Sequence, residues 1–173
     1  GFKNGLLAGQ CLGDFNTGMY PAYLRAIQDA RSVVRYLKAN AERLGIDRNM
    51  IFVSGHSAGA LTSIGLGLMD DTNAPKDILA QVGGSMDPMK DNMQYDAKIA
   101  GVISMAGAVI DPYLVLGKKI NTPMDFIHGT CDEIVDMYSG NPFRCQDRKT
   151  FPVIYGGAAI YEASKQNGNS VYL

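Results

Sequence analysis

The chain lacks an excess of charge of either sign. Sixteen Lys and Arg stand against seventeen Asp and Glu, for a net charge of −1. That balance removes the electrostatic case for a nucleic-acid partner or an anionic membrane surface. No apolar run approaches the roughly 20 residues that cross a bilayer, so no membrane span is expected. Cysteine is scarce: Cys11, Cys131 and Cys145 sit at spacings that match no metal site. Cys131 and Cys145 bracket a short loop, and two readings stay open for them, a pair in an oxidising compartment or free thiols. Histidine is scarcer still, with only His56 and His128. No signal peptide is present, and the chain opens on Gly1 rather than Met. This agrees with a removed leader and leans toward a secreted or periplasmic setting. What is there, 173 residues of which 46% are apolar and 19% charged, is one globular domain's worth of chain with a substantial core.

The stretch that organises the rest is Gly55-His56-Ser57-Ala58-Gly59. It follows the apolar run Met50-Ile51-Phe52-Val53 and opens into Ala60-Leu61-Thr62-Ser63-Ile64-Gly65-Leu66. Strand, sharp turn, helix, with a serine at the apex, is the context of a G-x-S-x-G nucleophile elbow. A plain Gly/Ser turn is the bland alternative, and the flanking strand and helix weigh against it. In an elbow the serine holds a strained backbone so that its hydroxyl stands clear of the sheet. Strand and helix pass so close that both Gly55 and Gly59 are expected to need glycine. The N–H of Ala58 falls at the helix N-terminus, where a free donor and the positive dipole end suit a developing oxyanion. His56 is expected to shape the pocket rim, because neighbouring side chains on a sharp turn diverge.

In chain order, residues 1–19 read as a loop. Tyr20-Pro21 opens a long helix with the apolar stripe Ala26, Ile27, Ala30, Val33, Val34, Leu37, Ala41 and Leu44, closed by Gly45. Arg25, Asp29, Arg31, Arg35 and Lys38 fall mostly off that stripe and read as a solvated face. Strand 50–54 is continuously apolar, as a strand buried on both faces should be. The helix after the elbow runs to about Met69 and is stopped by Asp70 to Pro75. Residues 75–97 are polar and glycine-interrupted. Their Met86, Met89 and Met93 suit one side of a short helix as core filler, with a cap or lid over an acyl pocket as the functional alternative. A buried strand follows at 98–105, a connection with Asp111-Pro112 at 106–122, and another strand at 122–128. Pro152 to about Asn167 reads as a helix, and Ser170 to Leu173 begins a further strand. Strands alternating with helices imply an α/β fold with a parallel sheet.

Three blocks together resemble the α/β-hydrolase family, in particular its carboxylesterase and acetyl-esterase-like members. They are Ala26 to Leu37, Gly45 to Ala60, and Pro123-Met124 through Ile127-His128-Gly129-Thr130-Cys131-Asp132-Glu133-Ile134-Val135. The resemblance implies Ser57 as nucleophile and Asp132 as the triad acid, with Glu133 and Asp111 as weaker candidates. The bland reading of Asp132 is a loop-capping carboxylate. The family's base is a histidine after the last strand. Neither His56 nor His128 is well placed for that role, so the base is expected past Leu173. The family's first strands and the Gly-rich turn that supplies its second oxyanion donor are likewise not found before Tyr20. The expectation is a single α/β-hydrolase domain over 1–173, incomplete at both ends, with strand 50–54 an uncovered edge if the segment stood alone.

On this reading the chain is part of a serine ester hydrolase that needs no cofactor and no metal. Its substrates would be small-molecule esters, including acetyl or aryl groups on plant polysaccharide. A serine peptidase of the prolyl-oligopeptidase type and a non-catalytic hydrolase-like binding module are the alternatives. A doubly wound nucleotide-binding domain fails for want of a Gly-rich first turn with its acidic partner.

Overall fold

The computed structural model describes residues 15–116, 120–144 and 151–173. The first helix, α1, runs Tyr20–Ala39 with Pro21 in its first turn, and a π-helical turn, Phe15–Met19, leads into it. The expected loop is therefore helical from Phe15 onward, and its earlier part lies outside the described residues. Tyr20, Tyr23, Leu24, Ile27 and Val34 form the buried face of α1. Val33 is exposed, because it sits about 100° around the helix from Val34. The helix breaks at Asn40, and a short α2, Ala41–Leu44, ends as expected at Gly45, whose φ is +67°. Leu44 is exposed there.

Four strands form the main sheet: β1 Phe52–His56, β2 Gly101–Met105, β4 Met124–Ile127 and β7 Val171–Tyr172. They are parallel in the order β1-β2-β4-β7. Val53 pairs with Val102, Ile103 with Asp125 and Met124 with Val171. Helices α3 (Ala58–Leu68) and α5 (Gly157–Gln166) lie against one face. Ile64 of α3, Val102, Met124 and Phe126 of the sheet, and Ile160 of α5 close into one apolar cluster there. A small antiparallel sheet, not expected from the sequence, joins β3 (Ala108–Val109), β6 (Ile154–Gly156) and β5 (Ser139–Gly140).

The first strand departs from its expectation. It begins at Phe52 rather than Met50, and among the described residues it is the sheet's edge. The helices cover only one face, so alternate residues of the other are open: Phe52 is 55% exposed and Tyr172 65%, with Ile103 and Ile127 beside them. The apolar run signals a strand, but this strand is not buried on both sides. No helix among the described residues is long and apolar enough to cross a membrane.

The charged face of α1 is the second correction. Arg31, Arg35 and Lys38 are not solvated but face residues 81–97, which follow α4 (Lys76–Ala80). Arg31 grips Asp87 with two nitrogens, Nε at 2.9 Å and Nη2 at 2.5 Å. Arg35 donates to the same carboxylate and to the carbonyls of Met89 and Asp91. Lys38 pairs with Asp96 at 2.5 Å, and Gln28 donates to the carbonyls of Val82 and Ser85. The segment is thus strapped along α1 by side chains whose partners lie more than fifty residues away. Its methionines do not share one helical face: the backbone is irregular from 82 to 97, Met86 is fully buried, and Met89 and Met93 are exposed.

The Arg35 side chain is only 2% exposed, so Asp87 neutralises a charge that water cannot reach. Burial alone would raise the Asp87 carboxyl, but hydrogen bonds from Arg31 and Arg35 outweigh it and hold the group below the usual carboxylate value. A lowered folded-state pKa contributes stability above the unfolded value and loses it as pH falls through the folded one. Asp87→Asn should therefore cost about 3 kcal/mol at neutral pH, the low end for breaking a buried pair. Urea denaturation at pH 7 and between pH 4 and 2 checks this. The parent should weaken across the acid range, and the variant should lose less there.

Candidate active site

Ser57 is the turn between β1 and α3, with φ +54° and ψ −118°, a region L-residues seldom occupy. Three contacts hold it there. Its N–H donates to the Met105 carbonyl at 2.9 Å, and its carbonyl accepts from Leu61 N–H at 3.0 Å. The third is steric: a Cβ on Gly55 would stand 2.2 Å from the backbone carbon of Gly59 and 2.7 Å from the nitrogen of Ala60. Strand and helix meet at that point, and Gly55 cannot be anything larger. The expectation for Gly59 is corrected. A Cβ there meets nothing within 4 Å, because the crowded vector is that of Gly55 and not its own. Ala58 is the first residue of α3, so its N–H has no acceptor within the helix.

The strand next door ends in a second strained residue. Ala106 has φ +53°, and its N–H donates to the Ile127 carbonyl at 2.8 Å. The chain turns away from the sheet there, between the end of β1 and the end of β4. Nothing in the sequence signals Ala106, since alanine carries no turn signature.

Asp132 lies in the loop after β4. Its Oδ1 accepts from the N–H groups of Ile134 at 2.8 Å and Val135 at 2.9 Å. The loop-capping reading thus describes one oxygen, and Oδ2 takes no hydrogen bond among the described residues. Glu133 is exposed. Asp111 caps the short 3-10 turn Pro112–Leu114 by accepting from Tyr113 N–H at 2.9 Å. Ser57 and the Asp132 loop leave the same edge of the sheet from strands two places apart, about 10 Å between strand axes at the usual spacing.

The two histidines separate. His56 ends β1 and is exposed. The His128 side chain is buried and its ring committed: Nδ1 accepts from Gly157 N–H at 3.2 Å, and Nε2 lies 2.8 Å from the Val135 carbonyl. Cys131 is exposed and its thiol free. Cys11 and Cys145 lie outside the described residues; of the two readings kept open for Cys131 and Cys145, the free thiol is the one seen at Cys131. No group of three or more His, Cys, Asp or Glu side chains among the described residues is arranged to hold a metal. A cleft of about 330 Å³ opens beside the first turn of α1, lined by Phe15, Tyr20, Pro75, Ile110 and Asp111 among others. Neither Ser57 nor Asp132 borders it.

Comparison with known proteins adds the relatives. The BD-FAE family model matches residues 16–111, more than half of the chain. Among solved structures, a truncated form of a carbohydrate esterase from gut microbiota superposes with a TM-score of 0.57 at 14% identity, over 85% of this chain and 58% of that one. Thermogutta terrifontis esterase 2 phosphoramylated by tabun gives 0.57 at 19% identity, over 87% and 52%. The same esterase phosphorylated by paraoxon gives 0.55 at 20% identity, over 85% and 50%. The chain therefore spans about half the length of the solved structures it matches. None of the curated proteins is a match.

The elbow geometry sets an asymmetric expectation. Gly55→Ala should cost about 3 kcal/mol or more, as overpacking against backbone that cannot yield. Gly59→Ala should be neutral or stabilise by about 0.5–1 kcal/mol, through better helix propensity. At Ser57 the strained φ predicts that Ser57→Gly is more stable than Ser57→Ala by about 1 kcal/mol. Thermal denaturation of the four variants checks all three statements.

Proposed function

This chain belongs to the BD-FAE family of α/β-hydrolase-like esterase domains, and from that premise we propose that it carries the nucleophile and the acid of a serine ester hydrolase. The observation that carries the proposal is Ser57 at φ +54° on a strand-to-helix turn closed by Gly55. The strain and the steric constraint are what an exposed nucleophile at the top of a sheet requires.

In this reading Ser57 Oγ attacks the ester carbonyl while its proton passes to an imidazole. The tetrahedral oxyanion accepts from Ala58 N–H at the start of α3, where donor and dipole both favour negative charge. The C–O bond to the alcohol then breaks, and the alcohol leaves with the proton from the imidazolium. Water then attacks the acyl-Ser57 carbonyl as its proton passes to the imidazole, and the imidazolium returns that proton to Ser57 Oγ as the acyl C–O bond breaks and frees the acid. Asp132, through Oδ2, orients the imidazole and stabilises its cation. We assign that imidazole to a histidine carried after Leu173 in the gene product, because His128 is committed at both nitrogens. No metal or cofactor enters these steps.

The substrate class we propose is small acyl esters, with acyl groups on polysaccharide foremost. The likeness to a solved carbohydrate esterase supports that choice. The test is hydrolysis of a short-chain aryl ester by the full-length gene product. Ser57→Ala should lower kcat by about 10⁶, and Asp132→Asn by about 10³–10⁴. Paraoxon should add one diethylphosphoryl group to the peptide containing Ser57, read by mass spectrometry, and none to Ser57→Ala. Equal turnover by parent and Ser57→Ala would overturn the assignment.

A further inference from the structure

His128 carries a buried titratable side chain that the proposed reaction leaves unused. Its side chain is 1% exposed. Its two ring nitrogens decide each other's state. Gly157 N–H can donate only to an unprotonated Nδ1, so the hydrogen of the neutral ring sits on Nε2 and is donated to the Val135 carbonyl. With a neutral ring, the 3.7 Å separation between Nε2 and Asp132 Oδ2 is neither an ion pair nor a hydrogen bond.

The two partners of His128 belong to different parts of the chain. Val135 closes the loop that bears Asp132, and its own N–H is one of the two donors to Asp132 Oδ1. Gly157 opens α5, whose first N–H groups have no acceptors within the helix. The neighbouring amides do the same work: Gly156 N–H donates to the Tyr138 carbonyl at 2.8 Å, and Ala158 N–H to the Met137 carbonyl at 2.9 Å. The N-terminus of α5 is therefore seated on the acid loop and its continuation, with the imidazole between them. Gly157 also brings its backbone close, since a Cβ there would stand 3.1 Å from His128 Nδ1.

We propose that His128 is a positioning residue for Asp132, a neutral Nε2–H imidazole that ties the acid loop to the start of α5 so that Oδ2 stays aimed at the incoming base. The role rests on the reading of Ser57 and Asp132 given above. The role needs no contact between His128 and the substrate or the reacting atoms. It acts through Val135 and the loop, and it is not the general base.

Three variants of the full-length gene product test it, beside Ser57→Ala. His128→Asn keeps an acceptor near the Nδ1 position, His128→Gln keeps a donor near Nε2, and His128→Ala keeps neither. His128→Ala should lower kcat for the aryl ester about 100-fold, the scale of a displaced catalytic group, with KM moved far less. His128→Gln, which keeps the donor to the Val135 carbonyl, should recover most of that loss, and His128→Asn, which loses it, should recover less. In ¹⁵N-resolved spectra of the parent at neutral pH, the His128 ring should show Nε2 protonated and Nδ1 bare. A ring protonated on Nδ1, or His128→Ala with full kcat, would overturn the positioning role while an inactive Ser57→Ala keeps the nucleophile assignment. His128→Gln as inert as Ser57→Ala would also overturn it, in favour of His128 as the base. An active Ser57→Ala would overturn both readings together.

Discussion

Two backbone hydrogen bonds carry the parallel ladder beyond its last regular pairs: Ser57 N–H to the Met105 carbonyl and Ala106 N–H to the Ile127 carbonyl. The upper edge of the sheet depends on them. Both donors belong to residues with positive φ, and such residues persist only where the surroundings over-determine them. The surroundings are set in turn by register. Side chains alternate along a strand, so a slip of one residue would turn Val102, Met124 and Phe126 out of the core and carry the site edge with them. The apolar cluster under α3 and α5 thus fixes register, register fixes where each strand stops, and the stopping points bring Ser57 and the Asp132 loop to the same end of the sheet.

The structure uses a different kind of adhesion on the far side of α1. Apolar area joins α1 to α3, whereas residues 81–97 are held by Gln28, Arg31, Arg35 and Lys38 acting on carbonyls and carboxylates. Directional bonds suit a segment without regular structure. Its backbone carbonyls need donors, and long cationic side chains supply several each. Asp87 balances two guanidinium groups at once, which is why one carboxylate carries much of that attachment.

What could be read from the sequence was what is local. The strand-to-helix turn at Ser57, the strand before it, the stop at Gly45 and the strand leading to His128 are each encoded within a few neighbouring residues, and each is present in the fold. The charged residues of α1 misled because their partners lie 52 to 58 positions away, and on a helical wheel a clamp and a solvated face look alike. The small sheet of β3, β5 and β6 was invisible for another reason: strands of two and three residues are too short to show a period. Both ring partners of His128 are backbone groups, one of them 29 residues away, so no side-chain pattern announces them. The apolar run before Ser57 revealed a strand but not how many of its faces are covered, which is a property of the neighbours.

The two glycines of the elbow also bear on how such sites are recognised. A pattern demanding glycine at both flanking positions treats them as equivalent, whereas only Gly55 faces backbone and Gly59 faces open space. A relative with alanine at the fifth position would keep a sterically sound turn and still be passed over by that pattern. One with alanine at the first position would be passed over in the same way, but there the mismatch would reflect a real clash with backbone. For this chain, holding the first glycine absolute and letting the last vary among small residues describes the turn more faithfully than the symmetric motif does.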